Sequence, residues 1–432
     1  MTSHLFAPDY KPQPFWWERS PLSAEPTPDL PAQADVVVIG SGYTGLCAAL
    51  QTARGGRHTV VIEANEIGSG CSSRNGGQIS TALKPQYDNL RRKVGDQLAY
   101  DILKEGHNSL QWIGDFVKDE AIDCDFEICG RFYAAHSPGQ FDILARSIEN
   151  PPKGLETDAY VVPKAEQQVE IDSPDYHGGV VYPRHAGLDP GAYHKGLLAR
   201  VRAAGGMVIG QCGATGISGT AGDFTVATAN GPIRARDIVV ATNGYTRGLS
   251  PWHRRRIIPI GSYIIATEKL APDLIRRLIP TRRMINDTRK LVVYYRTDPA
   301  GERILFGARV SIAETDPTEA VPALHAELVT RFPDLAESQV SHAWMGFVGY
   351  TFDEMPHLGA RDGIHYSMGY CGSGVGLSSY FGTKIGQQVL GLKEGDSPLT
   401  QIDFPTRPYY WGKPWFLAPA VRYYRWKDAR AA

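Results

Sequence analysis

A glycine-rich turn between a buried strand and a helix constrains the fold of this chain more than any other feature. Residues 34–40 read ADVVVIG, a short apolar run typical of a strand buried on both faces of a parallel sheet. The turn Gly-Ser-Gly-Tyr-Thr-Gly spans residues 40–45, a helical pattern covers residues 48–53, and HTVVIE at residues 58–63 reads as a second buried strand. These elements predict a βαβ unit, and Gly-x-Gly-x-x-Gly in that setting indicates a Rossmann-type dinucleotide-binding domain.

Each residue of this motif has a physical task in dinucleotide binding. Gly40 permits the tight turn, Gly42 lets the backbone approach a pyrophosphate, and Gly45 lets the helix pack closely on the strand. The unpaired N–H groups at the start of the helix can then bind phosphate oxygens. Glu63 ends the second strand, where a carboxylate accepts hydrogen bonds from ribose hydroxyls and disfavours the extra phosphate of NADP. FAD and NAD both remain open at this point.

Three later segments combine glycine with small polar residues, as a large cofactor lying against backbone requires. They are GSGCSSRNGGQ at residues 68–78, VVATNGY at residues 239–245, and GYCGSGVG at residues 369–376, before a helix predicted to start at residue 379. Each of them could be an ordinary loop or turn. Together with the first motif they place about a dozen of the 46 glycines of this 432-residue chain around one extended ligand. Glycine exceeds its average usage of about 7%.

These motifs resemble those of the FAD-dependent oxidoreductases of the glycine/D-amino-acid oxidase family, and within it the proteins similar to gamma-glutamylputrescine oxidoreductase. The resemblance covers residues 12–426 and rests on residues 40–45, Glu63 and residues 73–78, 241–245 and 369–376, with further similarity in residues 122–135, 344–356 and 414–426. It implies an α/β fold in which a Rossmann-type FAD-binding domain is interleaved with an α+β substrate domain built on an antiparallel sheet.

The expected domains are assembled from distant segments of the chain. An N-terminal arm covers residues 1–33, and an aromatic-rich C-terminal segment covers residues 396–432. The remaining segments alternate between an FAD-binding domain (34–90, 178–255 and 340–395) and a substrate domain (91–177 and 256–339). Hydrophobic periodicity predicts helices over residues 86–120, 194–204 and 324–332 and antiparallel strands within residues 258–268 and 291–310.

Both ends of the chain carry aromatic residues. Seven prolines within residues 1–31 block helix formation, so we predict an extended arm. Phe15, Trp16 and Trp17 would form a large exposed apolar patch if left in water, so this arm is expected to lie across the body. Residues 404–426 hold nine aromatic residues and could contact a membrane surface or a partner, or pack on the body, which we favour. The basic run at residues 253–256 is expected to be a solvated loop.

The resemblance assigns cofactor-binding roles residue by residue. The pyrophosphate and adenosine are implied to lie on Gly40, Ser41, Gly42, Tyr43, Thr44, Gly45, Glu63 and Ala64, with one strand through Val208 and Ala214 at the adenine. The flavin is implied to lie along Ser72, Arg74, Asn75, Gly76, Gly77 and Gln78. The residues implied to close over the dinucleotide and the isoalloxazine ring are Thr242, Asn243, Gly244, Gly372, Ser373, Gly374 and Val375.

Several positions depart from the family pattern and bear on the substrate. Ser373 stands where many members have histidine, Gly376 stands where sarcosine oxidases have a carboxylate-binding lysine, and residues 79–82 lack the basic residues of that branch. A free α-carboxylate needs Arg or Lys as a partner, so these departures favour an amine over an α-amino acid. Covalent flavin attachment in that branch uses a cysteine in the region equivalent to residues 344–353, where this chain has none, so FAD is expected to be bound non-covalently.

The residues that would orient the substrate are less sharply indicated. By family position, a strand through Tyr294 faces the flavin. The candidates for contact with the substrate are Tyr295, Arg296, Trp344 and Tyr370. Core packing for a tyrosine and a surface ion pair for Arg296 remain open alternatives. Lys84 and Arg309 are possible but unranked, whereas His342 and His357 are expected to be structural.

The implied function is FAD-dependent oxidation of an amine C–N bond, in gamma-glutamylputrescine, another polyamine derivative or a secondary amine. A hydride passes to flavin N5, and the imine hydrolyses to an aldehyde plus an amine or ammonia. A D-amino-acid or glycine/sarcosine-type oxidase, an NAD-linked dehydrogenase and a non-catalytic FAD-binding subunit remain alternatives. Either oxygen or a quinone or other electron carrier could reoxidise the flavin.

Composition excludes several other classes of partner. Lys and Arg number 45 and Asp and Glu number 46, so the chain lacks the basic excess of a nucleic-acid-binding protein. Its six cysteines include no Cys-x-x-Cys pair, which argues against a zinc site and favours reduced thiols in the cytoplasm. No apolar run approaches the length of about 18 residues that a membrane span requires.

Overall fold

The computed structural model describes residues 3–23, 28–81, 83–308 and 315–431. Ala82 and the candidate Arg309 lie outside the described residues. The strands are β1 (Phe6–Lys11), β2 (Gln33–Ile39), β3 (Thr59–Ile62), β4 (Gln78–Ile79), β5 (Arg131–Ala134), β6 (Tyr160–Val162), β7 (Gly179–Tyr182), β8 (Ala186–Gly187), β9 (Met207–Ile209), β10 (Ala214–Thr220), β11 (Asp223–Thr228), β12 (Gly231–Val240), β13 (Ile258–Thr267), β14 (Met284–Asp287), β15 (Tyr294–Thr297), β16 (Ile304–Ala308), β17 (Val340–Tyr350), β18 (His357–Arg361) and β19 (Ile364–Met368).

The helices surround two large sheets. They are α1 (Trp16–Arg19), α2 (Tyr43–Arg54), α3 (Tyr87–Val94), α4 (Asp96–Asp119), α5 (Pro138–Glu149), α6 (Pro190–Ala203), α7 (Pro251–Arg254), α8 (Pro272–Leu278), α9 (Pro317–Arg331), α10 (Gly374–Val389) and α11 (Leu417–Ala431). The predicted helix over residues 86–120 is two helices, because Gly95 adopts a positive φ of 87° between α3 and α4.

The first sheet, called the Rossmann sheet, is built around the predicted βαβ unit. Strands β9, β3, β2, β12 and β19 run parallel, and Val38 lies between Val61 and Val239. Val38 packs under α2, α6 and α10, whereas Val37 packs in a separate cluster on the opposite face. The predicted burial of this strand on both faces is therefore confirmed.

Two glycines let α10 cross α2 at close range. A Cβ atom on Gly382 would lie 2.4 Å from the carbonyl oxygen of Thr44, and one on Gly386 would lie 2.6 Å from that of Ala48. The first glycine motif leads into α2, and the last glycine motif leads into α10. Close packing of these helices therefore fixes the positions of the two motifs relative to each other. The two motifs are therefore held on the same side of the Rossmann sheet.

The second sheet, called the mixed sheet, has the order β1-β17-β13-β16-β15-β14-β5-β7-β6. The predicted antiparallel pairing of residues 258–268 and 291–310 is confirmed, since β13 pairs with β16 and β16 with β15. Strands β1 and β17, and strands β14 and β5, pair in parallel. Helix α9 packs against one face of this sheet, and its Leu324 and Leu328 are fully buried in the same cluster as Phe306.

The sheets divide the chain at positions that differ from the predicted domain boundaries. Strands β7 and β17 lie in the mixed sheet, although residues 178–255 and 340–395 are assigned above to the FAD-binding domain. The strand predicted through Val208 and Ala214 is two strands, β9 and β10, with residues 210–213 between them. These strands lie at opposite ends of the Rossmann sheet in the order β10-β11-β12-β2-β3-β9. The assignment of whole domains stays a proposal.

The N-terminal arm lies across the body, as predicted, but it is not extended throughout, because residues 16–19 form the short helix α1. Strand β1 pairs with β17, and Trp16 is fully buried in α1. The Trp16 indole donates a hydrogen bond of 2.9 Å to the carbonyl oxygen of Asn75, and the Trp17 indole donates one of 2.8 Å to the Ser73 hydroxyl. The arm therefore supports the loop at residues 68–78.

The C-terminal segment packs on the body, which confirms the favoured interpretation. The buried Tyr410 donates a hydrogen bond of 2.6 Å to the carbonyl oxygen of Ile257, and its ring contacts Phe352 at 5.3 Å between centroids. The exposed aromatic side chains of this segment are Tyr409, Trp411, Trp415, Tyr423, Tyr424 and Trp426. A membrane or partner contact of these side chains is the alternative that was not favoured, and the structure does not test it.

The basic run at residues 253–256 is a packing surface, and its prediction as a solvated loop is wrong. His253 is buried, and the guanidinium of Arg255 lies 4.0 Å from the ring centroid of Trp411 in the C-terminal segment. The guanidinium of Arg256 lies 3.9 Å from the ring of Trp252. Cation–π contacts with aromatic residues thus place this run under the C-terminal segment.

Candidate active site

A cavity of about 3300 Å³ lies at the carboxyl ends of the parallel strands and extends along one face of the mixed sheet. Ligands of open α/β sheets bind at this edge. The cavity exceeds the range of about 300–1,000 Å³ for ordinary small-molecule pockets, so it has room for a dinucleotide and a second ligand. The predicted cofactor-binding residues that line it are Gly40, Ser41, Gly42, Tyr43, Thr44, Glu63, Ala64, Ser72, Arg74, Asn75, Gly76, Gln78, Ala214, Thr242, Asn243, Gly372, Ser373, Gly374 and Val375.

Three predicted cofactor residues lie behind this lining. Gly45 faces the turn itself, where a Cβ atom would lie 1.9 Å from the carbonyl oxygen of Gly40. A Cβ atom on Gly77 would lie 2.1 Å from the carbonyl oxygen of Leu188, and Gly244 lies against the backbone of β17. These glycines permit close backbone packing, and their contact with a cofactor would be indirect.

The first turn and Glu63 form one hydrogen-bonded unit. Gly40 has a φ of 108°, which favours glycine, and α2 begins at Tyr43 with its N-terminus beside the cavity. Glu63 Oε2 accepts hydrogen bonds from the Ser41 backbone at 3.0 Å and the Ser41 hydroxyl at 2.8 Å. Glu63 Oε1 accepts a further hydrogen bond of 3.2 Å from the Asn65 backbone, and since a carboxylate has about four acceptor positions, part of its capacity remains for the ribose.

The loop at residues 68–78 is held by its own side chains. The Asn75 amide donates to the carbonyl oxygens of Cys71 and Ser72 at 3.2 and 2.9 Å and accepts from the Gly77 backbone at 2.8 Å. The Arg74 guanidinium donates to the carbonyl oxygens of Ser69 and Met345 and lies 4.6 Å from the ring centroid of Trp17. Both side chains therefore position the loop, which then presents its backbone to the cavity.

The third and fourth motifs are joined by Asn243. Its backbone adopts a φ of 39°, and its side-chain oxygen accepts a hydrogen bond of 2.9 Å from the Gly369 backbone. A Cβ atom on Gly349 would lie 2.2 Å from the same oxygen, so glycine at this position lets β17 pack closely against Asn243. Four separated segments thus meet along one cavity, as the glycine pattern predicts.

Of the four predicted substrate-orienting residues, Tyr370 lines the cavity and the other three do not. The Tyr370 hydroxyl is 2.7 Å from the Thr44 hydroxyl and 2.8 Å from the Ser367 hydroxyl. Trp344 is buried, and its indole donates a hydrogen bond of 2.7 Å to the carbonyl oxygen of Arg74. Contact with substrate remains a prediction for Tyr370, and the role of Trp344 is support of the loop.

Tyr295 and Arg296 also differ from their predicted placement. Side chains alternate across a strand, so Tyr294 faces the cavity and Tyr295 points to the opposite face, where its hydroxyl lies 3.0 Å from that of Tyr176. The buried Arg296 donates to the carbonyl oxygens of Gly77 at 3.2 Å and Leu188 at 3.1 Å. Its guanidinium is thus committed to the backbone behind the loop at residues 68–78.

The cavity contains cationic side chains that the sequence interpretation did not rank. The Lys84 ammonium donates a hydrogen bond of 3.0 Å to the Tyr350 hydroxyl, and Arg131 lines the compartment under the mixed sheet beside Tyr133. Basic side chains therefore do line the cavity, at positions other than Gly376 and residues 79–82. Arg131 could have been noticed from the sequence, because an arginine is unusual in an otherwise apolar strand.

Comparison with known proteins identifies the family. The model of the DAO family, described as FAD dependent oxidoreductase, matches residues 35–388. The chain belongs to the DAO family. The gamma-glutamylputrescine oxidoreductase of Escherichia coli (strain K12) is 30% identical over 399 residues, covering 91% of this chain and 92% of that protein. The probable oxidoreductase OrdL of Rhizobium meliloti (strain 1021) is 29% identical over the same shares of the two chains.

Solved structures share the DAO fold. Glycine oxidase from Geobacillus kaustophilus superposes with a TM-score of 0.71 at 16% identity, covering 88% of this chain and 100% of that one. L-proline dehydrogenase from P. horikoshii superposes with a TM-score of 0.69 at 17% identity, covering 90% and 99%. The predicted α/β fold class is thereby confirmed.

The cofactor of this DAO-family oxidoreductase is FAD, as predicted, and not NAD. The residues present fit it: the glycine turn leaves no room for a Cβ atom, Glu63 keeps free acceptor positions, and the cavity continues to the last glycine motif. Within the described ranges, His, Cys, Asp and Glu form no group arranged to hold a metal ion. None of the helices in that part of the chain is long and apolar enough to cross a bilayer.

Proposed function

We propose that this protein oxidises the C–N bond of an amine, with gamma-glutamylputrescine or a related polyamine derivative as substrate. The similarity to the Escherichia coli oxidoreductase supports the substrate class. The observation that carries the proposal is the continuous cavity, which joins the dinucleotide cleft to a compartment walled by Tyr133, Tyr294 and Lys84. When bound, FAD accepts a hydride from the carbon next to the amine nitrogen, and the imine then hydrolyses in water to an aldehyde and an amine or ammonia.

Lys84 is placed to keep the substrate amine neutral. Burial lowers its pKa, but Tyr350, Cys371 and Glu354 together outweigh that effect and raise the pKa of Lys84 above its usual value. Lys84 therefore carries a positive charge at neutral pH. A cation disfavours a second positive charge nearby, so an amine that binds next to Lys84 loses its proton more readily. The neutral amine is the form that can give up a hydride.

The expected result is reduction of the bound flavin by gamma-glutamylputrescine under anaerobic conditions, observed as bleaching of its visible absorbance. D-alanine, glycine and sarcosine, as matched controls, are expected to leave the flavin oxidised. A peroxide assay in air, and a quinone-linked assay without oxygen, then identify the acceptor. Bleaching by D-alanine or sarcosine alone would contradict the amine proposal, and a flavin that no amine reduces would indicate a non-catalytic subunit.

A D-amino-acid or glycine/sarcosine-type reaction is the second candidate. Lys84 lines the cavity beside Tyr350 and provides a cationic side chain that could pair with a carboxylate on the reacting carbon. The amine panel separates the two candidates, since an α-amino acid carries its carboxylate on the carbon that is oxidised. A cytoplasmic location is also proposed, and cell fractionation tests it.

We further propose that FAD is bound without a covalent link. Two cysteines, Cys71 and Cys371, line the cavity. Burial raises the pKa of both thiols to about 11, so the reactive thiolate is scarce at neutral pH. Acid precipitation is expected to release all flavin into the supernatant. Flavin fluorescence that stays with the denatured chain on a gel would contradict this.

A further inference from the structure

One wall of the cavity carries hydrogen-bond donors that have no acceptor within the described protein. Arg131 on β5 lies opposite Tyr182 on β7, and the ring of His185 stacks on Tyr182 at 4.9 Å between centroids. The backbone N–H of Gly130 donates a hydrogen bond of 2.8 Å to the carbonyl oxygen of His185, which ties the two segments together. Arg131, Tyr182 and His185 therefore form one rigid group, called here the Arg131 wall.

Arg131 is a cation without a counter-ion in the described part of the chain. Its Nε atom is buried without a hydrogen-bond partner, and the titratable groups around it are the Tyr133 and Tyr182 phenols and the Cys129 thiol. Burial lowers the pKa of Arg131 to about 10, which still leaves it charged at neutral pH. Arg131 is half-buried and lines the cavity, and a partly desolvated charge without a counter-ion is unfavourable, so an anionic group of a ligand in the cavity would stabilise it.

The neighbouring imidazole is a second free donor. His185 Nε2 lies 3.4 Å from the backbone nitrogen of Thr81 and 3.3 Å from the Thr81 hydroxyl, and since the backbone N–H can only donate, Nε2 is assigned as the acceptor of both contacts. Burial and the charge of Arg131 lower the pKa of His185, so the ring is neutral, and this assignment places its proton on Nδ1. That buried Nδ1 has no partner in the described structure. The wall thus offers one cation and one neutral N–H.

The location of the wall separates it from the last glycine motif. Arg131 lies on β5, and four other strands of the mixed sheet separate β5 from β17. The last glycine motif lies against β17, because the backbone N–H of Cys371 donates a hydrogen bond of 3.0 Å to the carbonyl oxygen of Gly349. A ligand group at Arg131 is therefore distant from a group that reacts near Cys371.

We propose that Arg131 and His185 bind a carboxylate of the substrate that is separated by a chain of atoms from the amine being oxidised. This inference rests on the proposed amine oxidation. A guanidinium can donate two parallel hydrogen bonds to a carboxylate, and in this proposal the His185 N–H, on the same wall, is the further donor. One cation matches the single negative charge of a carboxylate. A gamma-glutamyl group places such a carboxylate at the far end of an extended amine.

The test compares three amines that differ in one group. Gamma-glutamylputrescine has both the carboxylate and the α-amine, N-glutarylputrescine lacks the α-amine, and N-(4-aminobutanoyl)putrescine lacks the carboxylate. Arg131→Gln is expected to raise KM about 100-fold for the first two, the size expected when one partner of a buried charge pair is removed, and to leave kcat within about threefold. KM for the third amine is expected to stay unchanged. An equal change for all three amines would overturn the proposal.

Two further variants control for charge and folding. Arg146→Gln removes the same charge from an exposed position of α5 at the cavity rim, and KM is expected to stay unchanged for all three amines. Arg131→Lys keeps the charge but not the planar guanidinium group, so KM is expected to rise about tenfold for the two substrates that carry the carboxylate. The thermal midpoint of Arg131→Gln without ligand is expected to equal or exceed that of the parent, because an unpaired, partly buried charge is removed. A large drop would indicate a structural role instead.

A probe that cannot be oxidised separates this inference from the proposed function. N-Butylglutaramate carries the carboxylate but no amine, and calorimetric titration into the FAD-loaded protein measures its binding. Binding that Arg131→Gln abolishes, with no amine able to reduce the flavin, would support the carboxylate site and reject the proposed reaction. Amine oxidation with equal probe binding by both proteins would reject the carboxylate site and keep the reaction.

Discussion

Replacement of Gly45 by alanine is expected to give a protein that does not retain FAD through purification. A Cβ atom at this position would lie 1.9 Å from the carbonyl oxygen of Gly40 and 3.2 Å from Val38 Cγ1. The first contact is with backbone, so the turn that faces the pyrophosphate must move. Overpacking commonly costs about 1–3 kcal/mol, and the upper end corresponds to about 100-fold weaker binding. Fluorescence titration of FAD into the apoprotein measures the change.

Gly139→Ala is the matched control. Gly139 also lies in the first turn of a helix, α5, but a Cβ atom there meets nothing within 4 Å. This variant is expected to bind FAD like the parent and to gain as much as about 1 kcal/mol of stability, since alanine favours helix over glycine. Normal FAD affinity in Gly45→Ala would show that the turn can adjust and that the tight packing is not required.

Arg296→Gln is expected to weaken FAD binding at least tenfold (about 1.4 kcal/mol) and to lower the free energy of unfolding by about 2–4 kcal/mol. The reason is positional, since this buried side chain satisfies the carbonyl oxygens of Gly77 and Leu188. Without it, the carbonyl oxygen of Leu188 loses this donor, that of Gly77 keeps only the Leu188 backbone N–H, and the loop at residues 68–78 loses its support. Chemical denaturation and FAD titration measure the two effects.

Arg277→Gln removes an arginine whose ion pairs with Asp172 and Asp334 are exposed, and it is expected to change stability by less than about 0.5 kcal/mol. Arg296 was also a candidate for direct substrate contact. If Arg296→Gln raised KM for the amine while FAD affinity and stability stayed at parental values, the direct role would stand and the supporting role would be rejected.

The Rossmann part of the fold was predictable because its signals are local. Residues 34–63 contain the strand, turn, helix and strand in sequence order, and Val37 and Val38 are buried on opposite faces as the continuous apolar run indicates. Gly40, Gly45, Gly77 and Gly244 mark positions where backbone meets backbone, and a single sequence shows this constraint as conspicuous glycines. The cofactor side of the site follows from such constraints.

The substrate side was less predictable because it depends on contacts between distant segments. Because side chains alternate along a strand, Tyr294 and Tyr295 must point to opposite faces of the sheet. The sequence alone does not indicate which of the two faces the cavity. Arg296 is buried like a ligand-binding residue, yet its partners are carbonyl oxygens more than a hundred residues away. Arg131 gains its significance from the absence of a nearby carboxylate in the described structure, which only the tertiary arrangement reveals.

The pairing of β1 with β17 has a consequence for the order of folding. Phe6 is among the first described residues to leave the ribosome, and its partner Val340 follows more than three hundred residues later. Contacts of such sequence separation form slowly, because a long loop must close before they stabilise anything. Trp16, Trp17 and Trp344, which brace the loop at residues 68–78, therefore reach their final positions late. The nascent chain is thus expected to be unable to hold its cofactor firmly until synthesis has passed β17.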